Sequence, residues 1–267
     1  MNFFKSPKKS LGQNFLMDQN IINKIIKIGN IKKNKTVLEI GPGRGSLTRK
    51  IVNINPKKIF AVEKDFKLTS ILKENYKNFE NVKVVNDDIL NFIKNKSFGN
   101  NVIVYGNLPY NISTQILASL ILLEKWPPWY EVLIFMFQKE VADRIIARNN
   151  SNNYGRLSIL SNWRLEVKKH FNVSKNCFYP KPNVDSTVLS FRPKKNKFIL
   201  KNPKNLENIT RIFFSNRRKM INKSFLKLFN NKKSIADELN LKLSQRPENL
   251  SYEMYYKIAM KYEELFR

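Results

Sequence analysis

The sequence predicts an α/β fold: a Rossmann-like sheet flanked by helices, with a small C-terminal all-α domain. Three observations predict it. Short apolar runs alternate with segments of helical period as far as residue 137, the first run ends in a glycine-rich turn, and beyond residue 206 only short helical segments rich in Lys, Asn and Phe follow. Strands spaced by helices imply parallel βαβ units with right-handed crossovers.

The elements follow in order. Residues 5–16 are basic and turn-rich. Asp18 to Ile28 reads as an amphipathic helix, with Asp18 as N-cap and Ile21, Ile22, Ile25, Ile26 and Ile28 as its apolar face. Thr36–Ile40 is a first strand, Ser46–Val52 a helix, Lys58–Val62 a second strand, and 66–76 a helix. Val82–Val85 and Val102–Tyr105 supply the third and fourth strands. Ser113–Leu123 suits a helix capped by Ser113, and Val132–Phe137 a fifth strand. Further on, 149–153 is a polar loop, Ser186–Phe191 alternates like an exposed or antiparallel strand, and Pro193–Asn196 with Lys201–Lys204 reads as a linker. The expected division is an α/β domain over 1–195 and a helical one over 196–267.

Charge narrows the partners. The chain carries 49 Lys+Arg against 21 Asp+Glu, a formal +28 over 267 residues. Self-repulsion of that size opposes compaction and points to a polyanion, although the abundance of Lys, Asn and Ile is also what AT-rich coding produces. The single Cys177 excludes an internal disulfide framework and a thiolate metal site. The single His170 likewise excludes a histidine metal cluster and Ser-His machinery, so no metal is expected. No apolar run approaches the roughly 20 residues of a membrane span, and the apolar stretch at Met1–Pro7 is too short for a signal peptide. The expectation is a soluble cytoplasmic monomer with no membrane partner.

The chemistry gathers at predicted strand ends. Glu39-Ile40-Gly41-Pro42-Gly43-Arg44-Gly45 closes the first strand, where glycines permit a sharp turn and leave room for a ligand. The spacing departs from G-x-G-x-x-G, which disfavours a pyrophosphate and favours a cofactor without phosphates. Glu63 ends the second strand, 20 residues after Gly43, where an acid accepts both ribose hydroxyls. Asn86-Asp87-Asp88 ends the third; either acid there is a candidate acceptor for an adenine amino group, and a turn or helix cap is the plainer reading. Asn107 ends the fourth. In a doubly wound sheet, ligands bind outside the carboxyl ends of strands at the switch point, so the fold would assemble these four positions.

Asn107-Leu108-Pro109-Tyr110 resembles the N-P-P-Y/F motif of methyltransferases acting on exocyclic amino groups of bases. An adenine amino nitrogen is a poor nucleophile because its lone pair is delocalised into the ring. Acceptors from the Asn107 side chain and the Leu108 carbonyl would bind its two N–H groups and favour a pyramidal nitrogen. That is positioning and electrostatic stabilisation, with no nucleophilic side chain required. Pro109 stiffens the turn, and Tyr110 offers a ring face for the base.

Further segments occur in a telling order: 12–16 (GQNFL), 39–48 (EIGPGRGSLT), 106–114 (GNLPYNIST), 138–141 (QKEV), 154–158 (YGRLS) and 178–186 (FYPKPNVDS). Over about 9–230 the chain resembles the small-subunit (16S) ribosomal RNA adenine N6,N6-dimethyltransferase family, in its bacterial form. The resemblance implies a class I methyltransferase sheet that dimethylates two adjacent adenosines near the 3′ end of small-subunit ribosomal RNA during ribosome biogenesis. It places S-adenosylmethionine against Asn14, Leu16, Gly41, Gly43, Glu63, Asp88 and Asn107. It favours Asp88 over Asp87, because Ile89-Leu90 follows where the family has Ala-Leu. It assigns Phe178 to stacking on the target adenine; without it, Phe178 reads as a core residue before a proline turn.

For RNA, Arg211, Arg217, Arg218 and Lys219 cluster with Phe213 and Phe214 on a predicted helix of the small domain. The reading is a wall for RNA backbone, against a solvated charged face; Lys5, Lys8 and Lys9 would add a second contact. Two alternatives share the motifs. One is an adenine methyltransferase for large-subunit ribosomal RNA or DNA, and the other a non-catalytic assembly or transcription factor. The intact Asn107 and Glu63 argue against the latter, since a pure binder needs neither.

Overall fold

The computed structural model describes Pro7, 12–95, 98–195 and 197–266, so Lys5, Lys8 and Lys9 lie outside the described residues. The elements run β1 (Phe15–Leu16), α1 (Gln19–Ile28), β2 (Thr36–Ile40), α2 (Ser46–Ile54), β3 (Lys58–Glu63), α3 (Phe66–Asn75), β4 (Val82–Asn86) and α4 (Ile89–Asn95). They continue with β5 (Val102–Asn107), α5 (Ser113–Ile121), β6 (Tyr130–Gln138), α6 (Lys139–Ile146), α7 (Arg156–Arg164), β7 (Leu165–Val173), β8 (Phe178–Tyr179) and β9 (Ser186–Pro193). Helices α8 (Pro203–Phe214), α9 (Asn222–Leu228), α10 (Ser234–Glu238) and α11 (Tyr252–Leu265) complete the chain.

Local chemistry explains the first helix. The Asp18 carboxylate accepts the N–H groups of Asn20 at 2.8 Å and Ile21 at 3.0 Å, and Ile22, Ile25 and Ile26 are buried. At the other end, the Tyr105 hydroxyl donates to the Ile26 carbonyl at 2.8 Å, which ties the helix to the sheet and satisfies a terminal acceptor.

The main sheet has seven strands in the order β4-β3-β2-β5-β6-β9-β7. Strand β2 pairs in parallel with both β3 and β5, and the parallel run extends to β4 on one side and β6 on the other. Winding therefore reverses between β2 and β5, which makes their carboxyl ends the switch point. Strand β9 is antiparallel to β6, with Gln138 opposite Ser186.

Two readings need correction. The 186–191 strand is not exposed: all six residues are buried, because β9 sits inside the sheet between β6 and β7. Helix α5 starts at Ser113 as expected, and the Ser113 hydroxyl donates to the Tyr110 carbonyl at 3.1 Å. Strand β7 and helices α4, α6 and α7 were not foreseen; β7 is the sheet edge, and exposed Lys168 and Lys169 discourage further strand addition there.

The chain forms two compact units. One takes 1–117, 127–142 and 168–193; the other takes 118–126, 143–167 and 194–267. A single cut at 195/196 thus describes only the last stretch, since two internal segments also belong to the second unit. Arg164 shows why 118–126 belongs with α7. Its guanidinium lies 4.8 Å from the Trp126 ring centroid and 4.0 Å from that of Trp163, and donates to the carbonyls of Ile121 at 3.1 Å and Leu123 at 2.6 Å. Elsewhere in this unit, the buried Tyr154 and Tyr256 hydroxyls donate to the carbonyls of Leu250 (2.8 Å) and Ile159 (3.0 Å), so burial leaves neither polar tip unsatisfied.

Candidate active site

The carboxyl ends of β2, β3, β4 and β5 open on one cavity in the first unit. Its lining includes Asn14, Leu16, Gly41, Gly43, Glu63, Asp87, Asp88, Asn107, Leu108, Pro109 and Tyr110. Every cofactor position expected from the sequence is there, together with the four residues of the Asn107–Tyr110 motif.

The glycine loop departs from ordinary backbone. Gly41 and Gly43 have φ of +63° and +58°, values that strain a residue bearing a Cβ. At Gly41 a Cβ would meet nothing within 4 Å, so the backbone is open to the cavity. At Gly43 it would lie 2.9 Å from the Phe15 ring.

Glu63 is buried and holds this loop. Its Oε2 accepts the Gly43 N–H at 3.0 Å and its Oε1 the Asp65 N–H at 2.8 Å. Burial pushes its carboxyl up, and those two backbone donors pull it back toward the charged form. Each oxygen retains a further lone pair for a ribose hydroxyl. Glu39 lies one strand away and is nearly inaccessible. Burial pushes it up to about 7, against the Thr48 hydroxyl that donates to it at 2.6 Å and with the nearby charge of Glu63 adding to the rise.

Asp88 takes the Leu90 N–H on Oδ1 at 2.9 Å and the Lys64 ammonium on Oδ2 at 2.8 Å. The Lys64 hydrogen bond holds it below the usual carboxylate range. Asp87 instead accepts the Asp88 N–H at 2.7 Å. At the fourth strand end, the Asn107 Nδ2 donates to the Asn14 carbonyl at 2.9 Å. Tyr110 is pinned through its hydroxyl, 2.8 Å from the Ser186 Oγ.

These residues fit a nucleoside-bearing cation. An open glycine turn, an acid poised for ribose and apolar walls from Ile40, Val62, Leu68 and Ile89 suit an adenosine. The acidic lining, Glu63 and Asp88 among it, suits an attached positive charge. Among the described residues no group of three or more His, Cys, Asp or Glu is placed to hold a metal ion. No helix among them is long and apolar enough to cross a membrane.

Other expected residues lie elsewhere. Phe178 does not line the cavity: it is 5% exposed and packs in the core cluster with Leu16, Met136 and Val188. Successive strand residues point to opposite faces, so its neighbour Tyr179 is the exposed ring, at 53%. Of the basic cluster only Arg211 is on helix α8; Arg217, Arg218 and Lys219 follow its end in a turn and bend. Phe213 is fully buried and Phe214 stacks on Tyr255, so both rings serve the core of the second unit. Arg217 donates to Glu248 at 2.8 Å and to the Ser151 carbonyl at 3.3 Å, while Arg211, Arg218 and Lys219 are exposed.

Sequence reasoning missed Lys64 and Thr48 as neighbours of the site. Lys64 follows Glu63 directly, and Thr48 lies nine residues beyond Glu39, a separation that brings them together only once β2 and α2 are folded.

Comparison with known proteins agrees with this geometry. Residues 4–264 match the profile of the family described as Ribosomal RNA adenine dimethylase. The chain is 53% identical over 226 residues to Ribosomal RNA small subunit methyltransferase A of Pelagibacter ubique (strain HTCC1062), covering 85% of each chain. It is 40% identical over 225 residues to the protein of the same name from Nitrobacter winogradskyi, covering 84% of this chain and 78% of that one. Among solved structures, a dimethyladenosine transferase from Plasmodium falciparum superposes with a TM-score of 0.76 at 28% identity, over 94% of this chain and 98% of that one. A cavity lined by open glycines and buried acids, beside an Asn-Leu-Pro-Tyr strand end, is thus found in a chain that belongs to the ribosomal RNA adenine dimethylase family, whose enzymes dimethylate adenine in ribosomal RNA with S-adenosylmethionine as methyl donor.

Proposed function

We propose that the chain acts as a monomer in the cytoplasm on small-subunit ribosomal RNA, where it converts two adjacent adenosines near the 3′ end to N6,N6-dimethyladenosine. The observation that carries the reading is the Asn107 amide. Its Nδ2 is committed to the Asn14 carbonyl at 2.9 Å, which leaves Oδ1 as the side chain's acceptor at the end of β5. The substrate class is supported by the names of the relatives, small-subunit methyltransferases at 53% and 40% identity.

In this reading Gly41, Gly43, Glu63 and Asp88, with Asn14 and Leu16, hold S-adenosylmethionine, and Asn107 borders both ligands. S-adenosylmethionine supplies an electrophilic methyl group on a positively charged sulfur. The target base leaves its stack, at a cost of a few kcal/mol, and enters beside Tyr110. The Asn107 Oδ1 and the Leu108 carbonyl accept its two amino hydrogens, and the nitrogen lone pair turns out of the ring plane. Pro109 keeps these acceptors in place, and the Tyr110 ring, anchored on Ser186, supplies the stacking face. Phe178 acts from behind the wall, opposite Leu16 in the β1–β8 ladder. Arg211, Arg218 and Lys219 of the second unit contact RNA phosphates.

The test is mass spectrometry of immature small subunits incubated with the protein and labelled S-adenosylmethionine. Dimethyladenosine at a tandem A-A site is the expected product. Label appearing instead in naked large-subunit RNA or in duplex DNA would overturn the substrate assignment.

A further inference from the structure

Beside the cofactor loop lies a cluster of three side chains that the reaction described above does not use. Strand β1 pairs with β8 so that Phe15 stands directly opposite Tyr179. Directly opposed residues of an antiparallel pair project to the same face. The guanidinium of Arg44, from the glycine loop, lies 4.5 Å from the Phe15 ring centroid and 5.8 Å from that of Tyr179. Phe15 is buried and closes against Gly43, whereas Tyr179 is half exposed. Phe15 and Arg44 also line the same cavity as Asn107 and Tyr110.

We propose that Tyr179 and Arg44 form a second nucleotide subsite, taking the single-stranded RNA residue next to the target: the Tyr179 ring stacks on its base and the Arg44 guanidinium binds its phosphate. The inference rests on RNA being the substrate. An exposed aromatic ring beside a cation is what a splayed single strand needs, since every base has a π-face and every linkage a charge. A guanidinium packed against a ring still carries its N–H donors in its own plane, the geometry that meets a phosphate side-on. Position argues for a neighbouring nucleotide rather than the target: Arg44 and Phe15 reach the cavity from the glycine loop and β1, while the target's acceptors come from the end of β5. A strand whose base is turned out toward Asn107 carries its neighbour past this rim. Packing of Arg44 on Phe15, itself closed on Gly43, ties the subsite to the loop that holds the methyl donor.

The test uses the full chain, undermethylated small subunits and S-adenosylmethionine, with cofactor affinity measured separately by titration calorimetry. Tyr179→Ala is expected to raise KM for the subunits about tenfold, the size of one base–aromatic stack, with kcat and cofactor Kd within twofold of the unaltered protein. Tyr179→Phe keeps the ring and is expected to restore KM. Arg44→Ala is expected to raise KM similarly and to lower the slope of log K against log salt by about 1, the loss of one phosphate contact. Unchanged KM in both alanine variants overturns the subsite. So does a parallel rise in cofactor Kd, which would place both residues in the cofactor site. If the unaltered protein transfers no methyl group to the subunits, the substrate reading falls and the subsite with it.

Discussion

The Asn107 side-chain amide donates to the Asn14 backbone carbonyl across 93 residues of sequence, at 2.9 Å. An asparagine amide is ambiguous by a half-turn, and this bond removes the ambiguity by assigning its nitrogen to a fixed acceptor. Asn107→Ala removes both the acceptor and the tether. The expected loss in kcat is about 10²–10³-fold, the size found for single preorganised groups facing a transition state. Asn107→Asp should be no better, because a carboxylate has no donor for the Asn14 carbonyl. Single-turnover methylation reads both; an alanine variant within threefold of the original would remove Asn107 from the chemistry.

Glu63 has both oxygens engaged by backbone N–H groups, at 3.0 Å from Gly43 and 2.8 Å from Asp65. Glu63→Gln replaces one acceptor by a donor that faces an N–H. The variant should lose about 1–3 kcal/mol of stability from one unsatisfied buried donor. It should also bind the methyl donor at least about tenfold more weakly, since the ribose hydroxyls lose an acceptor. Thermal denaturation with and without S-adenosylmethionine separates the two effects, because a ligand that binds only the folded state raises Tm according to its Kd.

Glu39 gives a pH signature. Burial raises it from an ordinary 4.5 to about 7. Between those values the folded chain holds a proton that the unfolded chain has released. Stability contributed by the neutral carboxyl is therefore full below pH 4.5 and is lost as pH rises toward 7, by about 3 kcal/mol at most for a displacement of that size. Glu39→Gln should flatten this dependence: Tm of the variant approaches that of the original near pH 4.5 and exceeds it at pH 8. Parallel Tm curves across the range would show that Glu39 is ionised in the folded protein.

How far the site could be read from sequence follows from which contacts are local. Strand β2 was predicted to the residue, and the Gly41, Glu63, Asp88 and Asn107 positions were legible because each closes an apolar run. The switch point follows from parallel βαβ logic, so their convergence was legible too. Strand β7 was not: Leu165–Val173 mixes Lys168, Lys169 and His170 into an edge strand that needs polar residues, which erases the apolar signature. Phe178 and Tyr179 are adjacent in sequence and opposite in burial, at 5% and 53%, and only the β1–β8 pairing decides which ring turns inward. Arg217 looked like its exposed neighbours because its partner Glu248 lies 31 residues away.

The two cavity glycines should fail differently. Gly43→Ala combines a positive φ with a Cβ 2.9 Å from the Phe15 ring, so it should cost stability well beyond the roughly 1 kcal/mol of left-handed strain alone. Gly41→Ala carries the same strain without a clash, and its methyl group meets nothing within 4 Å at a position that lines the cavity proposed for the cofactor. Its expected signature is a small Tm loss with a large rise in cofactor Kd. Equal Tm losses with unchanged cofactor affinity for Gly41→Ala would show that the loop does not touch the ligand.

Arg217 differs in role from the three basic residues near it. Arg217 donates to Glu248 and to the Ser151 carbonyl, holding the turn after α8 against two other segments of its own unit. Its ion pair is about a third exposed on each side, so screening limits its value to about 1 kcal/mol or less. Arg217→Ala should lower Tm modestly and leave the salt dependence of RNA binding nearly as it was. Arg211, Arg218 and Lys219 are exposed and should behave in the opposite way. Each alanine variant should keep its Tm and reduce the slope of log K against log salt by about 1, as expected when one phosphate contact and its displaced counterions are lost. Measuring Tm and salt slope for all four variants places each residue on one side or the other. A flat slope in the unaltered protein would remove the RNA role from the whole cluster and leave the formal +28 without a nucleic-acid explanation.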